Sequence, residues 1–194
     1  MCSSDLINVE NIAPSAADTN ENGDFTRDLF TQGKLALFQS GPYNLLPVSD
    51  GVADSFEWAL AAPVAGPDGA KSLVHGVVAV GNAKADDEQQ AGIAELLTWL
   101  GSKDGQLPLA EQGVSFPGHV DAQDAYIDFW KGKGVDVSVF VEAAKNPAEA
   151  DTGARANAGL TAAMPIFQEV FIGRLSAADG IPQAQEEGNA AMAE

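Results

Sequence analysis

The 194-residue sequence predicts an α/β fold, with a small mixed sheet flanked by several helices. Three segments, at residues 35–38, 56–60 and 73–80, have the apolar or alternating patterns of strands. After residue 86, apolar residues recur at helical spacing, next to residues that cap helices. Three strands followed mainly by helices are more typical of half of a larger α/β protein than of a complete doubly wound sheet.

The three predicted strands differ in pattern. Leu35–Phe38 is a short apolar run that follows a predicted helix over Phe25–Thr31 and ends at the turn Ser40-Gly41-Pro42-Tyr43. Phe56–Leu60 alternates between apolar and polar residues, as a half-buried strand does. Leu73–Val80 is almost continuously apolar, which is typical of a strand covered on both faces.

Helices are predicted from caps and breakers. Gly33 closes the first helix, Asp86 begins another that Gly101 ends, Asp121 is the predicted N-cap of a third, and Ser176 caps the last. Residues 7–24 are polar and predict a loop. The helix capped by Asp121 covers residues 122–131, and the remaining predicted helices cover residues 105–112, 137–145 and 160–174.

Charge and composition exclude several classes of protein. With 28 acidic and 10 basic residues, the formal net charge is -18, which repels phosphate backbones, so no nucleic-acid partner is expected. The single cysteine, Cys2, excludes a disulfide framework and a cysteine-based metal site. No apolar run is long enough to span a membrane, and no signal peptide is visible.

The N-terminus is unlike the start of a domain. Cys2-Ser3-Ser4-Asp5-Leu6 matches one reading frame of a common sequencing adapter, so we expect residues 1–6 to be an artefact and the chain to be a gene fragment. An ordinary polar terminus or a vector scar is the alternative. The expected organisation is a ragged segment over residues 1–24 and one lobe over residues 25–194.

Several short blocks, in order along the chain, resemble segments of one known family. They are Phe30–Leu37, Ser40–Tyr43, Ala62–Gly69, His75–Val80, Glu95–Ser102, Gly113–Pro117 and Gly173–Ala184. Their order resembles the C-terminal lobe of the carbohydrate-binding extracellular solute-binding proteins of ABC importers, the maltose-binding-protein family (family 1). Tyr43 departs from the pattern, because the family has Trp there.

The resemblance implies a fold and a function for the chain. The fold is one lobe of a periplasmic-binding-protein type II-like structure, with the N-terminal lobe absent. The function is to capture a mono- or oligosaccharide between two lobes and deliver it to the transmembrane subunits of an ABC permease, with no catalysis, cofactor or metal. The protein would be bacterial and extracellular or periplasmic, either lipid-anchored or secreted.

The candidate ligand-binding residues follow from the chemistry of sugars, which present CH faces and a rim of hydroxyls. Tyr43 is the predicted stacking ring, unless it packs beneath its own loop, and Ser40 and Gly41 supply hydrogen bonds beside it. His75 is either a core histidine or a donor on the cleft wall, where Gly76 lets a ligand approach the backbone.

Two further candidates precede the long helix of residues 160–174. The resemblance implies a ligand contact at this loop, where Arg155 and Asn157 lie. The guanidinium of Arg155 can bind hydroxyls as a fork. The competing interpretation of Arg155 is a solvated surface residue.

Two alternatives to sugar binding remain open at the level of sequence. One is a lobe that binds another solute, such as a polyol, a peptide or glycerol phosphate. The other is an α/β enzyme fragment, although no Gly-x-Ser-x-Gly, P-loop or Gly-x-Gly-x-x-Gly motif occurs. His75 and His119 are far apart in sequence and make no metal-binding spacing.

Overall fold

The computed structural model describes residues 3–67, 69–74, 76–149 and 153–193. Short 3-10 helices lie at Pro42–Asn44 and Val120–Ala122. The α-helices of the described residues are α1 (Ser3–Asn8), α2 (Ala16–Glu21), α3 (Phe25–Thr31), α4 (Leu45–Val52), α5 (Asp87–Gly101), α6 (Lys103–Glu111), α7 (Gln123–Gly132), α8 (Ser138–Ala143), α9 (Ala156–Phe171) and α10 (Ala177–Ala193). None of them combines the length and apolar character needed to cross a bilayer.

The predicted α/β fold with a small mixed sheet is wrong. Helices make up 56% of the structure and strands only 2%. Within the described residues, β-pairing is limited to two isolated bridges, Gly66 with Gly69 and Ser72 with Pro147. A strand is stabilised by hydrogen bonds and side-chain pairs from a neighbouring strand, and the three apolar segments have no such neighbour among these residues.

Each predicted strand has a different outcome. Leu37 is exposed, while Phe38 packs on Phe30 with 5.9 Å between the ring centroids. Phe56, Trp58 and Leu60 are half-buried and the residues between them are exposed, so the predicted alternation is present without strand pairing. The described part of the third segment, residues 73–74 and 76–80, is irregular and exposed, and its remaining residue, His75, lies outside the described residues.

The helices with strong local signals are confirmed. Asp86 caps α5 in a capping box with Gln89. Ser176 accepts a hydrogen bond from the backbone N–H of Asp179 at the start of α10. After α3, Gly33 adopts a φ of 70°, and its N–H bonds the carbonyl of Phe30. These motifs use residues within one turn of the helix end, which is why sequence predicts them.

Three parts of the chain differ from the predicted helices and loops. The loop predicted over residues 7–24 contains α2, because Ser15 caps it through the N–H of Asp18. Helix α4 follows directly from the 3-10 helix at Pro42–Asn44 and buries Leu45 and Val48. Asp121 is not the N-cap of α7, since the 3-10 helix of residues 120–122 precedes that helix and Ala122 occupies the cap position.

The chain forms two compact units, residues 1–38 with 150–194 (unit 1) and residues 39–149 (unit 2). In unit 1, α9 and α10 pack closely through small residues. A Cβ at Gly159 would meet Met192 and the carbonyl of Gly188. The side-chain amide of Asn8 in α1 donates to the carbonyl of Phe171, at the end of α9.

Unit 2 has a compact aromatic and aliphatic core. Tyr126 and Trp130 of α7 are fully buried at its centre, and Phe116 packs edge-on to Tyr126 at 5.3 Å. The other buried core residues are Leu45, Ala110, Val135 and Val137.

Candidate ligand-binding site

The turn that precedes α4 carries three of the predicted ligand-binding residues, Ser40, Gly41 and Tyr43. The hydroxyl of Ser40 accepts a hydrogen bond from the side-chain amide of Asn44 at 2.7 Å. The backbone N–H of Asn44 bonds the carbonyl of Gly41 at 3.1 Å. These bonds hold both ends of the turn.

Tyr43 is the prominent side chain of this turn, with 70% of its surface exposed. Its ring lies against Gly41 so closely that a Cβ at Gly41 would overlap the ring. A larger residue at position 41 would displace the ring from this position. Of the two interpretations of Tyr43, the structure favours an open ring over one packed beneath its loop.

Gly76 also lies in unit 2, in an exposed part of the chain. No heavy atom lies within 4 Å of a Cβ built at Gly76, so its backbone is open to an approaching molecule. Its neighbour in sequence, His75, lies outside the described residues, and its prediction as a cleft residue stays a prediction.

Arg155 and Asn157 lie at the start of α9, in unit 1. The guanidinium of Arg155 donates to the carbonyl of Ala191 near the end of α10, at 3.5 Å. A cation near the C-terminus of a helix is favourable because of the helix dipole. Asn157 is exposed, and its carbonyl accepts a bond from Thr161. Arg155 thus has a structural partner within its own unit.

The structure brings Ser40, Gly41 and Tyr43 together on one turn, and it places Arg155 and Asn157 in the other unit. Sequence reasoning missed Asn44, which holds Ser40. An Asx residue at the end of a Gly-Pro turn was the signal that could have found it. The combination of an open aromatic ring, a hydroxyl and a nearby amide has the chemistry to meet a sugar face and its hydroxyl rim.

Unit 2 also contains buried polar side-chain atoms. The hydroxyl of Tyr126, the indole nitrogen of Trp130 and Nδ1 of His119 are buried, and none of them has a hydrogen-bond partner among the described residues. Burial raises the pKa of Tyr126 to about 12, because the charged phenolate is poorly solvated there. The polar N–H of the neighbouring Trp130 favours the phenolate and lowers the pKa, but by less than burial raises it. The Tyr126 side chain is therefore neutral at physiological pH and contributes to packing.

Acidic, cysteine and histidine side chains form no candidate metal site in the part of the chain that the structure describes. The ion pairs identified in these ranges join residues close in sequence, such as Lys145 with Glu142 at 2.6 Å. At Asp136, hydrogen bonds from Ser138 hold the pKa of the carboxyl below its usual value. This turn lies directly before α8.

Comparison with known proteins gives one informative similarity. No family model matches the chain, and no curated protein matches it. The crystal structure of UspC from M. tuberculosis is similar, with a TM-score of 0.73 and 41% sequence identity. The similarity covers 97% of this chain and 46% of UspC.

These comparisons correct the family resemblance derived from sequence blocks. Assignment to the maltose-binding-protein family as its C-terminal lobe is wrong, since no model of that family matches and the similarity found is to UspC. Short Gly- and Pro-rich blocks such as Ala62–Gly69 occur wherever a chain turns, so they discriminate poorly between families. The 194 residues span less than half the length of UspC.

Proposed function

We propose that this chain is part of the solute-binding component of an ABC importer and that its solute is a carbohydrate. The observation that carries the proposal is the 41% identity to UspC over almost the whole chain. That similarity supports a solute-binding role, with a carbohydrate ligand and a permease as partner. An extracellular or periplasmic location is consistent with it.

The finer part of the proposal concerns the ligand and how it is held. A mono- or oligosaccharide is captured between two lobes, with Tyr43 stacking on a sugar face. The Ser40 side chain and the backbone at Gly41 and Gly76 form hydrogen bonds with its hydroxyls. The exposed ring supports this assignment, because an aromatic side chain held open on a turn is available to a ligand without rearrangement.

The mechanism proposed is capture without chemical change. A ligand that contacts both lobes only when they are together shifts the equilibrium toward the closed form, and the closed form is then recognised by the permease. The binding free energy drives that shift, so no catalytic group is needed.

Calorimetric titration with a panel of solutes tests the proposal. The panel contains monosaccharides, disaccharides, a polyol, a short peptide and glycerol phosphate. We expect saturable heat with at least one sugar and none with the peptide or the phosphate. Binding of the peptide or glycerol phosphate alone would show that the solute is not a carbohydrate. Conversion of a sugar to a product would indicate an enzyme.

A further inference from the structure

Met192 lies where the end of α10 crosses the start of α9 in unit 1. Its Cγ and Sδ are the atoms closest to a Cβ built on Gly159, at 2.8 and 3.0 Å. The methionine side chain therefore rests directly on a position that has no side chain of its own. An unbranched, flexible thioether is suited to filling such an irregular gap between helices.

The two helices come close at this crossing because each has a glycine there. The carbonyl of Gly188 lies 3.1 Å from the Cβ position of Gly159, and a Cβ at Gly188 would lie 3.3 Å from the carbonyl of Gly159. The methyl group of Ala163 lies 3.8 Å from that second position. The groups that meet here are therefore carbonyl oxygens and a methyl group, and none of these can donate a hydrogen bond.

Met192 is also accessible to solvent, with 43% of its surface exposed. Exposure decides which methionines are oxidised, because the oxidant must reach the sulfur. Met164 of α9 is 50% exposed, and it is not among the atoms closest to Gly159 or Gly188. The chain thus contains two methionines of similar exposure, of which Met192 makes the contact with Gly159.

We propose that Met192 is an oxidation site and that its sulfoxide loosens the contact between α9 and α10. The oxidant is hydrogen peroxide. A lone pair of the sulfur attacks one peroxide oxygen, and the O–O bond breaks as the S–O bond forms. The proton of the transferred oxygen moves to the departing hydroxide, which leaves as water. The sulfur is oxidised by two electrons, and the peroxide is reduced.

The sulfoxide does not suit the crossing of α9 and α10. Its oxygen is a hydrogen-bond acceptor, and the polar groups at the crossing are the carbonyl oxygens of Gly159 and Gly188. A buried acceptor that lacks a donor costs free energy. Turning the oxygen toward solvent instead withdraws the side chain from Gly159 and leaves a gap between the helices. Either arrangement weakens the packing of α9 on α10.

Arg155 is coupled to the same crossing. Its guanidinium donates to the carbonyl of Ala191, the residue before Met192, at 3.5 Å. This bond connects the start of α9 to the end of α10, so a displacement of residues 191–192 lengthens it. Oxidation at one helix end therefore changes the position of a cation at the start of the other helix.

Hydrogen exchange on the chain before and after treatment with hydrogen peroxide tests the inference. Peptide mapping by mass spectrometry first identifies the methionines that have gained one oxygen atom. Once Met192 is oxidised, we expect the amides of residues 159–164 and 185–190 to exchange about 10-fold faster or more, while the amides of α7 in unit 2 stay unchanged. Treatment with the two methionine sulfoxide reductases should restore the original exchange.

Three variants assign the effect to position 192. Met192→Leu keeps an apolar side chain of similar size and cannot form a sulfoxide, so peroxide should leave its exchange unchanged. Met192→Gln places an unbranched polar side chain at the crossing and should show the faster exchange without peroxide. Met164→Leu keeps Met192 and should respond to peroxide as the wild-type protein does.

Three results would overturn the inference. The first is oxidation of Met164 while Met192 stays intact. The second is unchanged exchange in α9 and α10 after Met192 is oxidised. The third is an equally large effect of peroxide on the Met192→Leu variant. None of these measurements involves a sugar, so the inference and the proposed function can fail separately.

Discussion

Tyr126 shows how burial without a hydrogen-bond partner affects a single residue. Its hydroxyl is fully enclosed by the core of unit 2, beside the indole of Trp130. Because burial disfavours the phenolate, the folded-state pKa is about 12, above the ordinary value of 10.0. The folded state therefore binds this proton more tightly than the unfolded state does.

The stability that this proton contributes depends on pH in a defined window. It is fully present below about pH 10 and is lost as pH rises through about 12, by roughly 2 kcal/mol at pH 11.5. Urea unfolding at pH 9 and pH 11.5 measures it. Tyr126→Phe removes the titration, so we expect the variant to lose about 2 kcal/mol less than the wild-type protein between these pH values.

The same variant also tests the missing hydrogen bond. At pH 7, Tyr126→Phe should be at least as stable as the wild-type protein, since a buried hydroxyl without a partner costs about 1–3 kcal/mol. Two results would show that the hydroxyl is solvated or hydrogen-bonded. One is an equal loss of unfolding free energy at high pH in the wild-type protein and the variant, and the other is a variant much less stable than the wild-type protein at pH 7.

The candidate site could be predicted only where its residues are close in sequence. Ser40, Gly41 and Tyr43 share a turn because they are neighbours in the chain, and a Gly-Pro pair requires a turn there. Arg155 and Asn157 depend on how α9 meets α10, which no local pattern encodes. The bond from Arg155 to Ala191 is such a long-range contact.

At the level of elements, the contact between α9 and α10 depends on small residues. Gly159→Ala should destabilise unit 1 by about 1–3 kcal/mol, because the added methyl meets Met192 and the carbonyl of Gly188. Thermal or urea unfolding measures the change.

Gly132→Ala is the matched control for that variant. Gly132 also lies in a helix, and nothing lies within 4 Å of its added Cβ. Alanine at this position should stabilise the protein by about 0.5–1 kcal/mol, because alanine has a higher helix propensity than glycine. A stabilised Gly159→Ala protein would contradict the close packing of the two helices.

Helix caps provide a second test at this scale. Asp86→Ala removes the side chain that accepts the N–H of Gln89, and it should cost about 0.5–2 kcal/mol. Asp54→Ala, at an exposed aspartate outside any helix, should change stability by less than about 0.5 kcal/mol. Equal effects of the two variants would show that the capping box does not stabilise α5.

Helices were predictable where strands were not, for a physical reason. The signals at Asp86, Ser176 and Gly33 are complete within one helical turn, so sequence contains all of the information. A strand needs a partner, and an apolar run such as Leu73–Val80 says nothing about whether the partner is present. Phe56–Leu60 shows that side-chain burial can be predicted without strand pairing. Its alternation correctly predicts which side chains are half-buried and incorrectly predicts a strand.

At the level of the whole molecule, the net charge of -18 dominates the electrostatics. Like charges repel more strongly in the compact state than in the unfolded chain, and salt screens this repulsion. We expect the melting temperature at pH 7 to rise between 20 mM and 500 mM sodium chloride.

Protonation of the carboxylates provides the control for the salt effect. Acidification removes part of the negative charge, so the same increase in salt should raise the melting temperature less at low pH. A decrease in melting temperature with salt at pH 7 would contradict net repulsion and indicate that ion pairs dominate.

The proposal that this protein binds a carbohydrate through the turn before α4 is tested most directly by calorimetry on Tyr43 variants. With the sugar that gives the largest heat, Tyr43→Ala should weaken binding by roughly 1–3 kcal/mol, because the ring contact is lost. Tyr43→Phe keeps the ring and should bind within a few-fold of the wild-type protein. Trp99→Ala, at an exposed aromatic residue on α5, should bind unchanged. An unchanged dissociation constant for Tyr43→Ala would contradict the account.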